Sequence, residues 1–266
     1  MIPTRHLLAL VATLLLLGTV AAPAGAHPRP EDRPEHRPGS TLVQMNLCLS
    51  GLAGCFGRTA YPAVLDEAVA RIDQARADAV TLNEACSGDV ASVARRTGLH
   101  ARFSTVLYRG APLECRTPTG RGVFGNAVLT RDPVVAWEDR AYEAQAGVEE
   151  RRWACATTSH RRTTCVTHLS TAGAGEPAAA NEAQCVELGR VLERRARAGE
   201  RVWFAGDVNR RPSCAPRGFT TLDDAAATQA PGIQHAYVHR SRGRATGTVV
   251  AARYTDHDVL VVRARH

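Results

Sequence analysis

Acidic, amide and imidazole side chains recur in one kind of place along this sequence: just past a short run of β-type apolar residues. Asn46 follows LVQM, Glu84 follows AVTLN, His168 follows TTCVT, Asp207 and Asn209 follow VWFAG, and Asp256 with His257 stands shortly before DVLVV. Buried carboxylates and histidines are costly unless they are paired or hold a metal. Carboxylate and amide oxygens suit a hard cation, and an imidazole, with an unperturbed pKa of about 6.5, moves a proton in either direction near neutrality. Polar residues at strand ends line one rim of a sheet, where loops converge on a pocket.

Taken singly, each residue has an ordinary structural reading. Glu84 reads as a surface or capped carboxylate and His168 as a hydrogen-bonded histidine beside a strand. Gly206 to Asn209 reads as a turn whose Asx side chains bond their own backbone, and Asp256-His257 as a bend or cap. What points to chemistry is their joint occurrence in this order.

The elements that must position these residues alternate short β runs with helical patterns. A strand opens at Leu42–Met45, and a helix follows from Pro62 to Ala77, where proline suits the first turn and Leu65, Ala68, Val69 and Ile72 share a face. Asp78–Leu82 returns to strand; Asp89 is expected to cap a short helix that Gly98 ends. Strands are expected at Ala101–Leu107, Val123–Leu129, Arg152–Thr158 and Thr163–Thr167. Pro177–Ala198 is a helix with Cys185, Leu188, Val191 and Leu192 facing inward, and Gly199 stops it. The last strands fall at Arg201–Ala205, His235–His239, Thr248–Ala251 and Asp258–Val262, and Ser241–Ala245 reads as an exposed turn. This is a mixed α/β order with several hairpins rather than a regular βαβ alternation.

Residues 1–26 read as a secretory signal peptide: Arg5 and His6, an apolar run Leu7–Val20, then Ala24-Gly25-Ala26 as the cleavage site. The run is shorter than the roughly 18–20 apolar residues that span a bilayer, so no stable membrane anchor is expected. Residues 27–39 (HPRPEDRPEHRPG) form a solvated, disordered Pro- and charge-rich linker, and residues 40–266 suit one domain. Formal net charge is +7, and with no lysine in the chain every basic side chain other than histidine is arginine. GC-rich codon usage explains most of that choice; the planar guanidinium also suits phosphate oxygens.

The 8 cysteines fit an exported disulfide protein. Cys155 and Cys165 lie symmetrically about His160 on a strand-turn-strand pattern, and Cys48 and Cys55 bracket the loop SGLAG. Those two pairs are favoured locally, which leaves Cys86, Cys115, Cys185 and Cys214 to pair among themselves in an order the spacing does not fix. A zinc-thiolate site is disfavoured, because there is no C-x-x-C and no paired Cys/His spacing.

QMNLC, LNEAC, GNAVLT, CVTHLS, FAGDVN and TDHDVL, in this order from Val43 to Val262, resemble the ordered motifs of the endonuclease/exonuclease/phosphatase superfamily, which includes deoxyribonuclease I. Each motif is short; the set in sequence is specific. The resemblance implies an α/β (α+β) fold, a four-layer sandwich of two packed mixed β-sheets flanked by helices, with the site at one rim. It implies Glu84 as the main Mg²⁺ ligand, helped by Asn46 and Asp256, with Mn²⁺ or Ca²⁺ as alternatives. His257 stands as the base, Asp207 and Asn209 as the pair that orients water and holds a phosphate oxygen, and His168 as the donor to the departing or equatorial oxygen. Arg152 is the arginine chosen to grip phosphate, beside Arg151, and Asn126 a structural asparagine at the site's edge. One departure matters. Many relatives carry an aspartate in an I-D-Y-like pattern that orients the base histidine, whereas here Ile233 is followed by Gln234. Gln234 is therefore expected to orient the base through its amide oxygen, unless Asp223 or Asp224 substitutes.

The implied activity is that of a secreted, divalent-metal-dependent phosphodiesterase with extracellular nucleic acid as substrate and partner. A sphingomyelinase-type or small-molecule phosphoesterase is the alternative within enzymes. A weakly active polyanion-binding protein is the alternative outside them, with Gln234 as its support. Oligomeric state is left open.

Overall fold

A computed structural model of the protein describes residues 39–239 and 243–265. The expected leader, and all of the expected linker but Gly39, lie outside the described residues, as do Ser241 and Arg242 of the expected turn. The helices are α1 (Ala63–Ala75), α2 (Ser87–Thr97) and α3 (Glu176–Arg197). The first half contributes strands β1 (Gly39–Asn46), β2 (Ala79–Cys86), β3 (His100–Thr105), β4 (Leu107–Tyr108), β5 (Ala111–Pro112), β6 (Phe124–Thr130) and β7 (Val134–Ala141). The second half adds β8 (Arg152–Thr158), β9 (Arg162–His168), β10 (Arg201–Asp207), β11 (Phe219–Asp223), β12 (Gln234–His239), β13 (Ala245–Val250) and β14 (Val259–Arg265).

Two 6-stranded sheets carry the fold, in the orders β13-β14-β1-β2-β6-β3 and β11-β12-β10-β9-β8-β7. They pack face to face through Leu42, Ala79, Leu260 and Val262 on one side and Trp203, Ala205, Ala236 and Val238 on the other. α1 and α2 cover the outer face of the first sheet, burying Val64, Leu65, Ala68, Ile72, Val90 and Val93. α3 covers the second, setting Leu188, Val191 and Leu192 against Phe204 and Tyr237. The four-layer sandwich is thus present, and burial of these apolar stripes is its main driving force.

Most expected elements form. Pro62 precedes α1, and Gly98 ends α2 in the left-handed region. Asp89 departs from expectation: the helix starts at Ser87, and Asp89 lies inside it as a buried partner of Arg121 at 2.7 Å rather than as its cap. β7 and β11 are additions to the expected set. Both are sheet edges, where one covered face suffices, so VVAWEDRA and FTTLD lack the apolar runs that mark central strands. The expected Cys48–Cys55 and Cys155–Cys165 disulfides form, the latter directly across the β8–β9 register, and the remaining cysteines pair as Cys86–Cys115 and Cys185–Cys214.

Topology explains why the polar residues meet. β1 and β2 run parallel, as do β9 and β10, so the C-terminal ends of each pair share a rim. Asp207 stands beside His168 in register, and Asn46 beside Asn83. β14 runs antiparallel to β1, so the loop that feeds it delivers Asp256 and His257 to the same rim.

Candidate active site

Local backbone features aim the side chains. The β2–β6 register shifts between Leu82 and Ala85, and Glu84 takes φ 51°, a left-handed conformation costly for a residue with a side chain. The bulge breaks the inward-outward alternation and turns Glu84 into the cavity. Gly206 is required by close approach: a Cβ there would lie 2.2 Å from the Thr167 carbonyl oxygen. The absence of that Cβ lets β10 close on β9 and sets Asp207 beside His168. Asp207 Oδ1 accepts from the Asn209 N–H at 2.9 Å, and Asn209 sits at φ 53°. The Asx turn that GDVN suggests by itself is therefore real, and it is also what presents Asp207 Oδ2 to the site.

Glu84, His168, Asp207, Asn209 and His257 line one cavity of about 350 Å³. Asn46 Nδ2 donates to Glu84 Oε1 at 3.0 Å and to Asp207 Oδ2 at 3.1 Å. His168 Nε2 lies 3.9 Å from Glu84 Oε1 and 3.8 Å from Asp207 Oδ2, while His257 Nε2 lies 3.7 Å from Asp207 Oδ2 and 3.9 Å from Asp256 Oδ1. Asp256 Oδ2 pairs with Arg58 at 3.1 Å. Apolar walls come from Leu52, Leu113 and Phe124.

Beneath the cavity lies a buried polar layer between the sheets. Asn83 Oδ1 accepts from Gln44 and from the Asp207 N–H, both at 2.8 Å; its Nδ2 donates to Asn126 Oδ1 and to the Thr167 carbonyl, both at 2.9 Å. Fully buried, Asn83 meets four partners and ties the two sheets together under the site. Asn126 is a structural acceptor, as its motif suggests. The sequence carries no signal for the centrality of Asn83, because an asparagine beside Glu84 reads as just another polar strand residue.

Three expected site residues have surroundings that differ from expectation. Arg152 is held by Asp139 at 3.0 Å and by Glu150, away from the cavity; Arg151, one residue earlier, lines it instead. Gln234 does not orient His257: its Nε2 donates to Asp224 Oδ2 at 3.0 Å and to the Asp258 carbonyl at 2.7 Å, and its Oε1 accepts from Gln44 at 3.3 Å. His257 Nδ1 is buried with no hydrogen-bond partner among the described residues, and Asp224, fully buried beside Gln234, joins Asp207 as a carboxylate whose charge interacts with His257. Asn46 is turned with its amide nitrogen toward Glu84 and Asp207, since its oxygen accepts from the Cys48 N–H at 3.1 Å. In this orientation it donates to two carboxylates.

Electrostatics follow from burial. Burial raises the Glu84 carboxyl to about 7, against the Asn46 hydrogen bond, with Glu149 and Asp207 adding to the rise and Arg151 opposing it. Asp207 is raised for the same first reason, offset by His257 and its hydrogen bonds to Asn209 and Asn46. Burial, then Arg151 and His257, push His168 well below the usual imidazole range, so it is neutral at pH 7. The raised Glu84 carboxyl, and a buried Asp256 Oδ1 with no hydrogen-bond partner among the described residues, are oxygen donors of the kind a cation takes. The donors fit a hard divalent ion. Cys48 and Cys55 also lie against Glu84, but their sulfurs are spent in a disulfide and cannot ligate zinc.

This fold and site define a class of metal-assisted phosphoesterases. The profile of the endonuclease/exonuclease/phosphatase family matches residues 52–257, and the chain belongs to that family, whose members are phosphoric ester hydrolases that generally depend on a divalent metal. Its fold is similar to that of the endonuclease/exonuclease/phosphatase from Beutenbergia cavernae DSM 12333, at 17% identity and TM-score 0.60 over 86% of this chain and 72% of that one. It is also similar to the human Nocturnin catalytic domain with bound sulfate anion, at 14% identity and TM-score 0.64 over 85% of this chain and 93% of that one. A third likeness is to D. rerio TDP2 complexed with single strand DNA product, at 13% identity and TM-score 0.58 over 86% and 99%. No curated protein matches the chain.

Proposed function

We propose that this protein is a secreted, divalent-cation-dependent phosphodiesterase that hydrolyses nucleic acid by in-line attack of water. The observation that carries this reading is the shared cavity of Glu84, His168, Asp207 and His257, drawn from both sheets. Glu84 and Asp256 would hold the cation, and Asn46 fixes Glu84; a bound divalent ion supplies charge neutralisation at the phosphoryl oxygens. His257 Nε2 receives a proton from the attacking water, which Asp207 Oδ2 orients at its side. As the water oxygen bonds to phosphorus, the bond to the departing alkoxide breaks, and the neutral His168 donates an N–H to the oxygen that gains charge. Arg151 grips a non-bridging oxygen.

Single-stranded DNA is a product bound by a protein of the same fold, and the +7 charge suits a polyanion. The 4 disulfides and the expected leader support export. Among the described residues no helix is long and apolar enough to cross a membrane, and the exposed large apolar side chains (Leu52, Val135, Val148 and Val186) include no aromatic to seat the protein on a bilayer. Incubation with plasmid DNA, RNA and sphingomyelin, with Mg²⁺ or chelator and beside His168→Ala, tests the assignment. Chelator-sensitive cutting of nucleic acid by the unmodified protein alone is the expected result. Choline-phosphate release would favour a lipid substrate, and tight polyanion binding without turnover would reverse the enzymatic reading.

A further inference from the structure

Arg151 does not have the cavity to itself. Its Nη1 lies 2.9 Å from Glu149 Oε1, and both side chains are largely buried, at 12% and 26% exposure. Both residues line the cavity that holds Glu84 and His168. The two atoms approach without the alignment of a hydrogen bond, so each is buried and has no hydrogen-bond partner among the described residues. Their backbone is pinned. Glu149 bridges to Tyr108, Glu150 N donates to the Leu107 carbonyl at 2.8 Å, Arg151 N donates to Gln145 Oε1 at 2.8 Å, and the Arg151 carbonyl accepts from Tyr142 N at 3.0 Å. The pair therefore faces the reacting centre from a fixed support with its best hydrogen bonds unmade.

A guanidinium binds carboxylate and phosphate through the same planar fork, and a misaligned, one-point contact leaves most of that capacity available. We infer that Glu149 is a built-in competitor for Arg151: it occupies the guanidinium until a substrate phosphate displaces it, and its charge then selects monoanionic phosphodiesters over dianionic phosphomonoesters. The pairing of Arg151 with phosphate rests on the phosphodiesterase reading above; the role of Glu149 goes beyond it. After displacement the Glu149 carboxylate stays beside the bound ester. One negative charge on the substrate is matched by Arg151, and a second one faces Glu149, a like charge that disfavours it.

The test uses inorganic phosphate binding by calorimetry beside turnover of matched mono- and diesters by the full-length protein. Glu149→Gln should tighten phosphate binding roughly tenfold, lower KM for a diester, and raise the monoester-to-diester ratio of kcat/KM by roughly tenfold. Adding Arg151→Gln to Glu149→Gln should erase the gain, and Glu149→Ala should move phosphate affinity in the same direction as Glu149→Gln. Phosphate affinity unchanged or weakened in both Glu149 variants overturns the inference and makes Glu149 a support for Arg151. Absence of ester hydrolysis by the unmodified protein would instead overturn the phosphodiesterase reading, and the calorimetry distinguishes the two failures.

Discussion

His257 Nε2 lies 3.7 Å from Asp207 Oδ2, joining the loop that feeds β14 in the first sheet to the last residue of β10 in the second. Asp207 Oδ2 also accepts from Asn46 Nδ2 at 3.1 Å while Oδ1 is taken by Asn209 N, and His257 Nδ1 has no hydrogen-bond partner among the described residues. The proposed base and its orienting carboxylate therefore depend on how the two sheets dock. Substitution of His257 by alanine should lower kcat by about 10²–10⁴-fold with little change in KM, as expected for loss of a proton acceptor. Steady-state kinetics on a defined diester measures this.

Burial makes His168 a neutral donor rather than an acid, so an amide N–H should replace part of its function. His168→Gln is expected to retain more kcat than His168→Ala, by roughly tenfold. The same burial has a stability consequence. A histidine depressed in the folded protein stabilises the fold above its unfolded value of about 6.5 and loses that contribution as pH falls through the folded value. Thermal unfolding should accordingly show an acid-side loss that His168→Gln reduces.

Glu84 works in the opposite sense. Its folded carboxyl is raised to about 7, so its contribution to stability is complete below its unfolded pKa, about 4.3, and is lost as pH rises through about 7 in the cation-free protein. A cation must displace that proton, so its affinity should fall as pH drops below about 7, with proton release on binding. Calorimetric Mn²⁺ titrations in buffers of different ionisation enthalpy measure both quantities.

The arginine pair separates site from scaffold. Arg151→Gln should raise KM by about tenfold or more without lowering the melting temperature much, because among the described residues its ion-pair partner is Glu149 alone. Arg152→Gln should do the reverse, since Asp139 and Glu150 lose their counter-ion.

The loop after β1 lies against both carboxylates proposed to hold the cation. Cys55 Sγ lies 3.8 Å from Glu84 Oε2, and Arg58 pairs with Asp256. Replacing Cys48 and Cys55 together by serine should destabilise the fold by about 2 kcal/mol and weaken cation binding as well. Denaturant unfolding and Mn²⁺ titration of the variant check the two effects.

Much of this site could be read from the sequence because its residues follow β runs, and the ends of parallel strands share a rim. Asn46, Glu84, His168 and Asp207 all owe their position to that rule. What escaped reading depended on contacts between distant segments or on single-residue phase. A bulge at Asn83–Glu84 reverses which side chain points where, and the choice between Arg151 and Arg152 turns on where β8 begins. Asp89 looks like a helix cap until Arg121, far along the chain, is seen to bury it. Gln234 looks like a weakened catalytic partner until Asp224, from the end of a polar edge strand, is found holding its amide. The α1 and α3 stripes, by contrast, were legible because helical periodicity is local.

Cation-dependent cleavage at this cavity is tested most directly by the unmodified protein and Glu84→Gln, each given plasmid and single-stranded DNA with Mg²⁺ and then with excess chelator. Cutting by the unmodified protein with Mg²⁺ is expected, abolished by chelator and reduced at least about 10²-fold in Glu84→Gln. Equal cutting by the variant, or cutting that survives the chelator, would contradict cation-dependent cleavage here.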